Sequence, residues 1–122
     1  MELRELTKAE EEIMQVLWTL KKGFVKEIIE RLPEPKPAYN TVSTIVRILE
    51  TKGFVDHLAF GKSYEYFPVI SKDDYRNFAT SKLMQGYFGG SLQKMVSFFV
   101  NEEKIDLKEA DEIMTLLEKM KK

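Results

Sequence analysis

The sequence contains no cysteine and a single histidine, His57. The absence of cysteine excludes a disulfide framework, a thiol nucleophile and a cysteine-ligated zinc or iron–sulfur site. A histidine without such partners is predicted to be a hydrogen-bonded strand residue and not a metal ligand. No Ser/His/acid spacing, glycine-rich phosphate loop or paired-carboxylate motif stands out. We therefore predict that the chain is not an enzyme and that it uses no cofactor and no metal.

Long apolar runs are also missing, and none approaches the roughly 20 residues that span a bilayer. The N-terminus, MELRELTKAEEE, is acidic, whereas a signal peptide begins with basic residues. The chain is therefore expected to be cytoplasmic, without membrane insertion. Its 122 residues and 43% hydrophobic content fit a folded protein. The net charge is −1, but residues 21–62 hold eight cations against five acids, a mild local excess that leaves nucleic-acid binding open.

Three amphipathic segments at the start of the chain predict a helix-turn-helix unit. A first helix is predicted over residues 7–20, because Thr7 and Glu10 have capping-box spacing. The Lys-Lys-Gly sequence at 21–23 is expected to end it, with the glycine able to adopt positive φ. A second short helix over 24–32 is followed by a turn that its three prolines force. The next helix is then presented outward.

That next segment, from Tyr39 to Thr51, is predicted to be a recognition helix. Its apolar stripe has i, i+3, i+4, i+7 spacing and is expected to be buried: Val42, Ile45, Val46 and Leu49. The other face carries short hydrogen-bonding side chains around one arginine, which suits the floor of a DNA major groove. Taken alone, the segment also fits an ordinary helix with a solvated polar face. The predicted DNA contacts are Asn40, Thr41, Ser43, Thr44 and Arg47.

The pattern changes from helical to β after the third helix. Residues 54–58 and 64–67 are β-prone, and the Phe-Gly-Lys-Ser sequence at 60–63 predicts a turn between them. Three helices followed by a hairpin form the winged-helix plan, with Lys62 at the wing tip, where a cation can touch phosphate. The fold is thus predicted to be mainly α with a small β-hairpin wing. Residues 1–70 are predicted to be a winged-helix DNA-binding domain.

The remaining residues, 71–122, are predicted to be a helical dimerisation domain. Ser71, Ser91 and Asp106 are expected to cap three helices, and a Gly-Gly pair separates the first two. These helices hold more aromatic and aliphatic surface than so short a segment can bury alone, so a second copy is the predicted partner. Folding of the tail back onto its own winged helix is the alternative. The predicted dimer contacts are Tyr75, Phe78, Leu83, Tyr87, Leu92, Val96, Phe99, Ile113 and Leu117.

A series of short motifs also points to a known family. The motifs are TKAE at 7–10, IM at 13–14, LW at 17–18, NTV at 40–42, KG at 52–53, YEY at 64–66 and GGSL at 89–92. With these in order, the chain resembles the penicillinase-repressor family, the BlaI/MecI group with its copper-responsive CopY branch, over nearly its full length. The resemblance implies a homodimeric winged-helix repressor on a pseudo-palindromic operator in double-stranded DNA. Asn40 and Thr41 would be its first base contacts, followed by Thr44 and Arg47.

The same resemblance implies a mode of induction. In the antibiotic-responsive branch, a membrane sensor protease triggers cleavage within the dimerisation region. The matching bond is Ser97–Phe98, although relatives typically have Asn where this chain has Ser97. The copper-responsive branch carries a C-terminal cysteine cluster, which this sequence lacks.

The sequence therefore supports a leading hypothesis and an alternative. The leading hypothesis is a homodimeric transcriptional repressor that proteolytic cleavage relieves. The alternative is a winged-helix protein-interaction module without specific DNA binding, which the near-neutral charge allows. A small enzyme is a third hypothesis, for which the sequence shows no polar cleft.

Overall fold

The computed structural model of the chain describes residues 3–120, except for the side chains of Leu117, Glu118 and Met120. The chain divides into two compact units, Met1–Phe78 and Ala79–Lys122, with the boundary inside the fourth helix. The functional division at residue 70 stays a prediction. The elements are α1 (Lys8–Leu20), β1 (Gly23–Phe24), α2 (Val25–Arg31), α3 (Tyr39–Thr51), β2 (Val55–Phe60), β3 (Ser63–Pro68), α4 (Lys72–Phe88), α5 (Leu92–Asn101) and α6 (Leu107–Met120).

The first helix, α1, begins as the sequence predicts and ends differently. Thr7 Oγ1 accepts a hydrogen bond from the Glu10 backbone N–H at 3.2 Å, and Glu10 Oε1 accepts one from the Thr7 N–H at 2.8 Å. This reciprocal pair is the predicted capping box. At the other end Lys21, and not Gly23, adopts the left-handed conformation, with φ of 73°. The prediction for Gly23 was wrong because this residue is extended and pairs with Tyr66 in the sheet.

The core of the first unit is built from the apolar stripes of α1, α2 and α3. Ile45, predicted to be buried with its stripe, is only half-buried. Burial of each large aliphatic or aromatic side chain contributes about 1.5–3 kcal/mol, so this core holds the helix-turn-helix together. The large side chains without measurable exposure are Met14, Leu17, Ile28, Val42, Val46, Leu49 and Phe54.

The wing contains the predicted hairpin and one strand that was not predicted. β2 pairs antiparallel with β3, from Val55 opposite Pro68 to Phe60 opposite Ser63. The connecting turn places Gly61 at φ of 62°, a left-handed conformation that glycine adopts without strain. β1 pairs with the other edge of β3, which gives a three-stranded antiparallel sheet in the order β1-β3-β2. A strand of two residues has no periodicity that a sequence could reveal.

Tyr75 fastens the start of α4 into the first unit. Its side chain is buried, and its ring centroid lies 5.7 Å from that of Phe54 and 6.0 Å from that of Trp18. Its hydroxyl oxygen accepts a hydrogen bond from the Leu6 backbone N–H at 3.0 Å. The indole N–H of Trp18 donates to the carbonyl of Ile70 at 2.9 Å. The predicted dimer contact Tyr75 therefore packs inside the first unit.

The second unit consists of the end of α4 with α5 and α6, and its helices start at the predicted caps. Ser91 Oγ accepts from the Lys94 N–H at 3.1 Å, and Asp106 Oδ1 accepts from the Glu109 N–H at 2.7 Å. The Gly-Gly pair at 89–90 breaks the helix, with both residues at positive φ. α5 and α6 pack against each other.

Large apolar side chains remain exposed in this second unit. In the part of it that the structure describes, the buried hydrophobic residues are Val96 and Ala110. A soluble monomer seldom leaves so much apolar surface in contact with water. The exposed large hydrophobic residues of the unit are Leu83, Tyr87, Phe98, Leu107, Ile113 and Leu116. Within residues 3–120, no helix has both the length and the apolar character needed to cross a membrane.

Candidate nucleic-acid interface

The polar face of α3 points into solvent, while its apolar stripe holds the helix against α1 and α2. Asn40, Thr41, Thr44 and Arg47 are exposed, and Ser43 is half-buried. The helix is therefore fixed from behind and free to meet a ligand along its front.

Two hydrogen bonds within α3 set the chemistry of this face. Thr44 Oγ1 donates to the Asn40 carbonyl at 2.8 Å, so its hydroxyl offers lone pairs to a ligand. Arg47 Nη2 donates to Ser43 Oγ at 3.2 Å, which steadies the guanidinium while its other N–H groups remain available. The front of the helix thus combines acceptors from hydroxyl groups with donors from one arginine. That combination can recognise the edges of bases.

A groove lies between α3 and the wing, and it brings Arg47 and Lys62 together. It is lined by Val25, Tyr39, Ser43, Arg47, Lys62, Tyr64 and Tyr66. Arg47 comes from the helix and Lys62 from the wing tip, so an anion in the groove can be held from both sides. Sequence reasoning missed the two exposed tyrosines, Tyr39 and Tyr64, whose hydroxyl groups can also bind phosphate. Because Tyr39 is the first residue of the predicted recognition helix, its position in the sequence could have indicated a DNA contact.

Tyr66 closes the floor of this groove. Its side chain is 3% exposed. Burial raises the pKa of Tyr66, and the nearby carboxylate of Glu50 raises it further. The phenol therefore remains protonated and neutral at physiological pH.

A second groove runs along the other side of the exposed face of α3. Its lining residues are Arg4, Thr44, Arg47, Ile48, Thr51 and Lys52. Arg47 lines both grooves. Arg4 was missed because it precedes the first helix, where no periodicity or motif indicates which surface the chain follows.

His57 is a hydrogen-bonded strand residue, as predicted. Its Nδ1 lies 2.7 Å from Glu50 Oε1, and its ring stacks on Tyr64 with centroids 4.2 Å apart. Asp56 Oδ1 accepts a hydrogen bond from the His57 backbone N–H at 2.8 Å. Potential metal-ligand atoms of Glu50, Asp56 and His57 lie within 4.8 Å of one another, which the sequence did not predict. Glu50 contacts the His57 ring, whereas Asp56 contacts the His57 backbone.

The predicted dimer contacts are found in several environments. Leu83, Tyr87 and Ile113 are exposed, whereas Val96 is buried in the second unit. The side chain of Leu117 lies outside the described residues. Those that are half-buried are Phe78, Leu92 and Phe99.

The predicted cleavage bond lies inside α5. Ser97 and Phe98 are both exposed on this helix. The ring centroid of Phe98 is 5.7 Å from that of Phe88 and 5.9 Å from that of Phe99. The bond therefore lies next to an aromatic cluster of the second unit.

Comparison with known proteins adds the evolutionary context. The penicillinase-repressor family model matches residues 6–119. The methicillin resistance regulatory protein MecI of Staphylococcus aureus strain N315 is 26% identical over 116 residues, covering 94% of each chain. The penicillinase repressor of Bacillus licheniformis is 26% identical over 118 residues, covering 96% of this chain and 92% of the relative.

A solved structure confirms the predicted winged-helix fold. The DNA-binding domain of the repressor BlaI, determined in solution, matches with a TM-score of 0.53 and 28% sequence identity. The match covers 61% of this chain and 92% of that domain. With a family model spanning almost its whole length, the chain belongs to the penicillinase-repressor family.

Proposed function

We propose that this chain is a homodimeric transcriptional repressor that binds a pseudo-palindromic operator in double-stranded DNA. The observation that carries the proposal is the exposed polar face of α3, which lies between two grooves that share Arg47. An α-helix is 10–12 Å across with its side chains, and the major groove of B-DNA is roughly 12 Å wide. The names of two relatives support the proposal, since MecI is called a regulatory protein and the Bacillus licheniformis relative a penicillinase repressor.

Within this proposal, the start of α3 reads the DNA sequence. Helix-turn-helix proteins contact base edges with the first residues of the recognition helix, which here are Asn40 and Thr41. An asparagine amide can pair with adenine, and an arginine such as Arg47 can pair with guanine O6 and N7. Ser43 positions that arginine. Lys62 holds a phosphate from the wing side of the helix.

The second unit supplies the dimer. Its exposed Leu83, Tyr87 and Ile113 gain a favourable environment when a second copy covers them. Two chains related by a two-fold axis present two recognition helices to successive half-sites. Binding of one helix then raises the effective concentration of the other.

Relief of repression proceeds by cleavage of the Ser97–Phe98 bond, triggered by a membrane sensor protease. The bond is exposed but helical, so α5 opens locally before a protease can hold it in an extended form. Cleavage separates Phe98 and α6 from the rest of the second unit. Because its proposed ligand is DNA, we expect the chain to act in the cytoplasm.

The wing supports a second candidate function, a protein-interaction module without specific DNA binding. Leu58 and Phe60 of β2 are 57% and 54% exposed, which is unusual for so large a pair of apolar side chains. This second function would be favoured if a protein partner bound the chain through Leu58 and Phe60 and the chain had no salt-dependent affinity for DNA.

Footprinting on the promoter upstream of the chain's own gene tests the repressor proposal. A protected site with two-fold symmetry is expected, and its affinity should fall steeply as salt is added, because phosphate contacts release counterions. The absence of a protected site in that promoter and in a genome-wide binding screen would contradict the proposal.

Substitutions on α3 test its assigned contacts. Arg47→Ala and Thr41→Ala should each weaken operator binding by about 1–3 kcal/mol, because each removes a contact to a base edge. Thr19→Ala is a matched control, since Thr19 is an exposed helical threonine of α1 whose hydroxyl bonds to the Gln15 carbonyl. Isothermal titration with the protected fragment measures the loss. If both α3 variants bind the operator with wild-type affinity, Arg47 and Thr41 do not contribute to the binding site.

A further inference from the structure

We infer that Arg4 contacts a DNA backbone phosphate on the side of α3 that faces away from the wing. The inference rests on the proposed function and adds a residue outside the helix-turn-helix and the wing. It follows from the position of Arg4 in the second groove, from the hydrogen bond that anchors its segment, and from the charges in that groove.

The two grooves flank the exposed face of α3. The helix contributes Tyr39 and Ser43 to the groove at the wing, and Thr44 and Thr51 to the groove at Arg4. At about 100° per residue, these two pairs lie on either side of the direction in which Arg47 points. The wing tip and the N-terminal segment therefore border the recognition face from opposite sides.

A hydrogen bond restrains the segment that carries Arg4. The Leu6 backbone N–H donates to the hydroxyl oxygen of Tyr75 at 3.0 Å, and Tyr75 itself is 7% exposed. Thr7, the next residue, caps α1. Arg4 is thus two residues from a fixed point, and its side chain reaches the groove along α3.

The charges in this groove suit an anion. Of the described residues that line it, three carry a positive charge and none carries a carboxylate. The ammonium group of Lys52 is already bound to Glu10, so Arg4 and Arg47 are the cations offered to a ligand. Arginine binds phosphate through several N–H groups at once. A phosphate diester therefore matches the groove in charge and in hydrogen bonding.

Duplex DNA supplies phosphates on both sides of a helix in its major groove. Because α3 and the DNA major groove are of similar width, one sugar-phosphate strand lies near each flank of the helix. The strand on the wing side meets Lys62, and the strand on the other side meets Arg4. Such a contact adds affinity without reading sequence.

Salt titrations with Arg4→Ala in the full chain test the inference. The probes are a duplex of mixed sequence and the promoter fragment protected in footprinting. The slope of the logarithm of affinity against the logarithm of salt concentration should become shallower by about 0.9 for both duplexes, as expected for one lost phosphate contact. Arg76→Ala is the matched control, because this arginine pairs with Asp73 and lines neither groove. Its slope should equal that of the wild type.

A second variant tests the anchor. Tyr75→Phe keeps the buried ring but removes the acceptor for the Leu6 N–H. The dependence of DNA affinity on salt should become shallower when Tyr75→Phe is made in the wild-type chain. It should not change when Tyr75→Phe is added to Arg4→Ala. An equal change in both backgrounds would overturn the anchoring role of Tyr75.

The possible results separate this inference from the proposed function. An unchanged slope for Arg4→Ala, with weaker binding by Arg47→Ala, overturns the role of Arg4 and leaves the repressor proposal standing. A loss confined to the promoter fragment at unchanged slope indicates a base contact and also overturns the phosphate assignment. If the wild-type chain shows no salt-dependent affinity for either duplex, the proposed function fails as well.

Discussion

Replacing Lys52 with methionine should destabilise the first unit by about 3 kcal/mol, because it leaves a buried carboxylate without its cation. Lys52 Nζ lies 2.8 Å and 2.9 Å from the two carboxylate oxygens of Glu10, whose residue is 4% exposed. The pair joins the start of α1 to the end of α3. Urea unfolding followed by the fluorescence of Trp18, the single tryptophan and part of the first unit, measures the change.

The double variant Glu10→Gln with Lys52→Met is the matched control. Glutamine can still accept the Thr7 N–H in a capping box, and it carries no charge that needs the lysine. Replacement of both members of a buried ion pair is often nearly neutral. The double variant should therefore regain most of the stability lost in Lys52→Met. Equal instability of the two variants would show that the side-chain packing of Lys52, and not its charge, matters.

The same pair makes stability depend on pH in the acid range. Burial raises the pKa of Glu10, but the hydrogen bonds from Lys52 and Thr7 and the charge of Lys52 outweigh it and hold the pKa below its ordinary value of 4.5. Since the folded pKa is the lower one, the pair stabilises the fold above pH 4.5, and this stabilisation is lost as the pH falls through the folded pKa. The difference in the free energy of unfolding between wild type and Lys52→Met should therefore shrink as the pH falls below 4.5.

Leu83→Glu in the second unit should weaken binding to the two-half-site operator by about 10²- to 10⁴-fold. Leu83 is 43% exposed, and in the proposed dimer a second copy covers it. A carboxylate placed there would lose its water on dimerisation, so the monomer is favoured. Each monomer then binds one half-site and loses the effective-concentration advantage of the pair.

Sedimentation and binding to matched duplexes measure this effect. Val69→Glu is the control, because it adds the same charge at a 53% exposed apolar residue of the first unit. Leu83→Glu should sediment as a monomer and bind a single half-site with wild-type affinity. A Leu83→Glu chain that remains dimeric would show that the interface lies elsewhere.

The elements of this chain that the sequence predicts well are those with local causes. The capping box of Thr7 and Glu10 and the caps at Ser91 and Asp106 involve residues three positions apart. The bounds of α3 and the burial of most of its apolar stripe follow from helical periodicity in the same way. Each of these signals lies within a few residues, so a sequence displays it directly.

The candidate site was predictable only in part for the same reason. The exposed residues of α3 share one helix, and their common face follows from spacing. The convergence of Lys62 and Arg47 on one groove depends on how the wing packs beside the helix, which no local pattern in the sequence specifies. Arg4 carries no local signal, and the nearby hydrogen bond from the Leu6 N–H to the Tyr75 hydroxyl oxygen joins residues 69 positions apart.

By itself, the sequence determined the order of the helices, the hairpin and the face of α3 that meets solvent, because periodicity and capping act over one or two turns. Tertiary structure alone decided that Gly23 and Phe24 pair with β3, since backbone groups of any sequence can form such a ladder. It also made Glu10, predicted only as a capping residue, the buried partner of Lys52, 42 positions away. The pairing of buried charges depends on which side chains the packed helices bring together. No local sequence pattern indicates such a pair when its members are far apart in the chain.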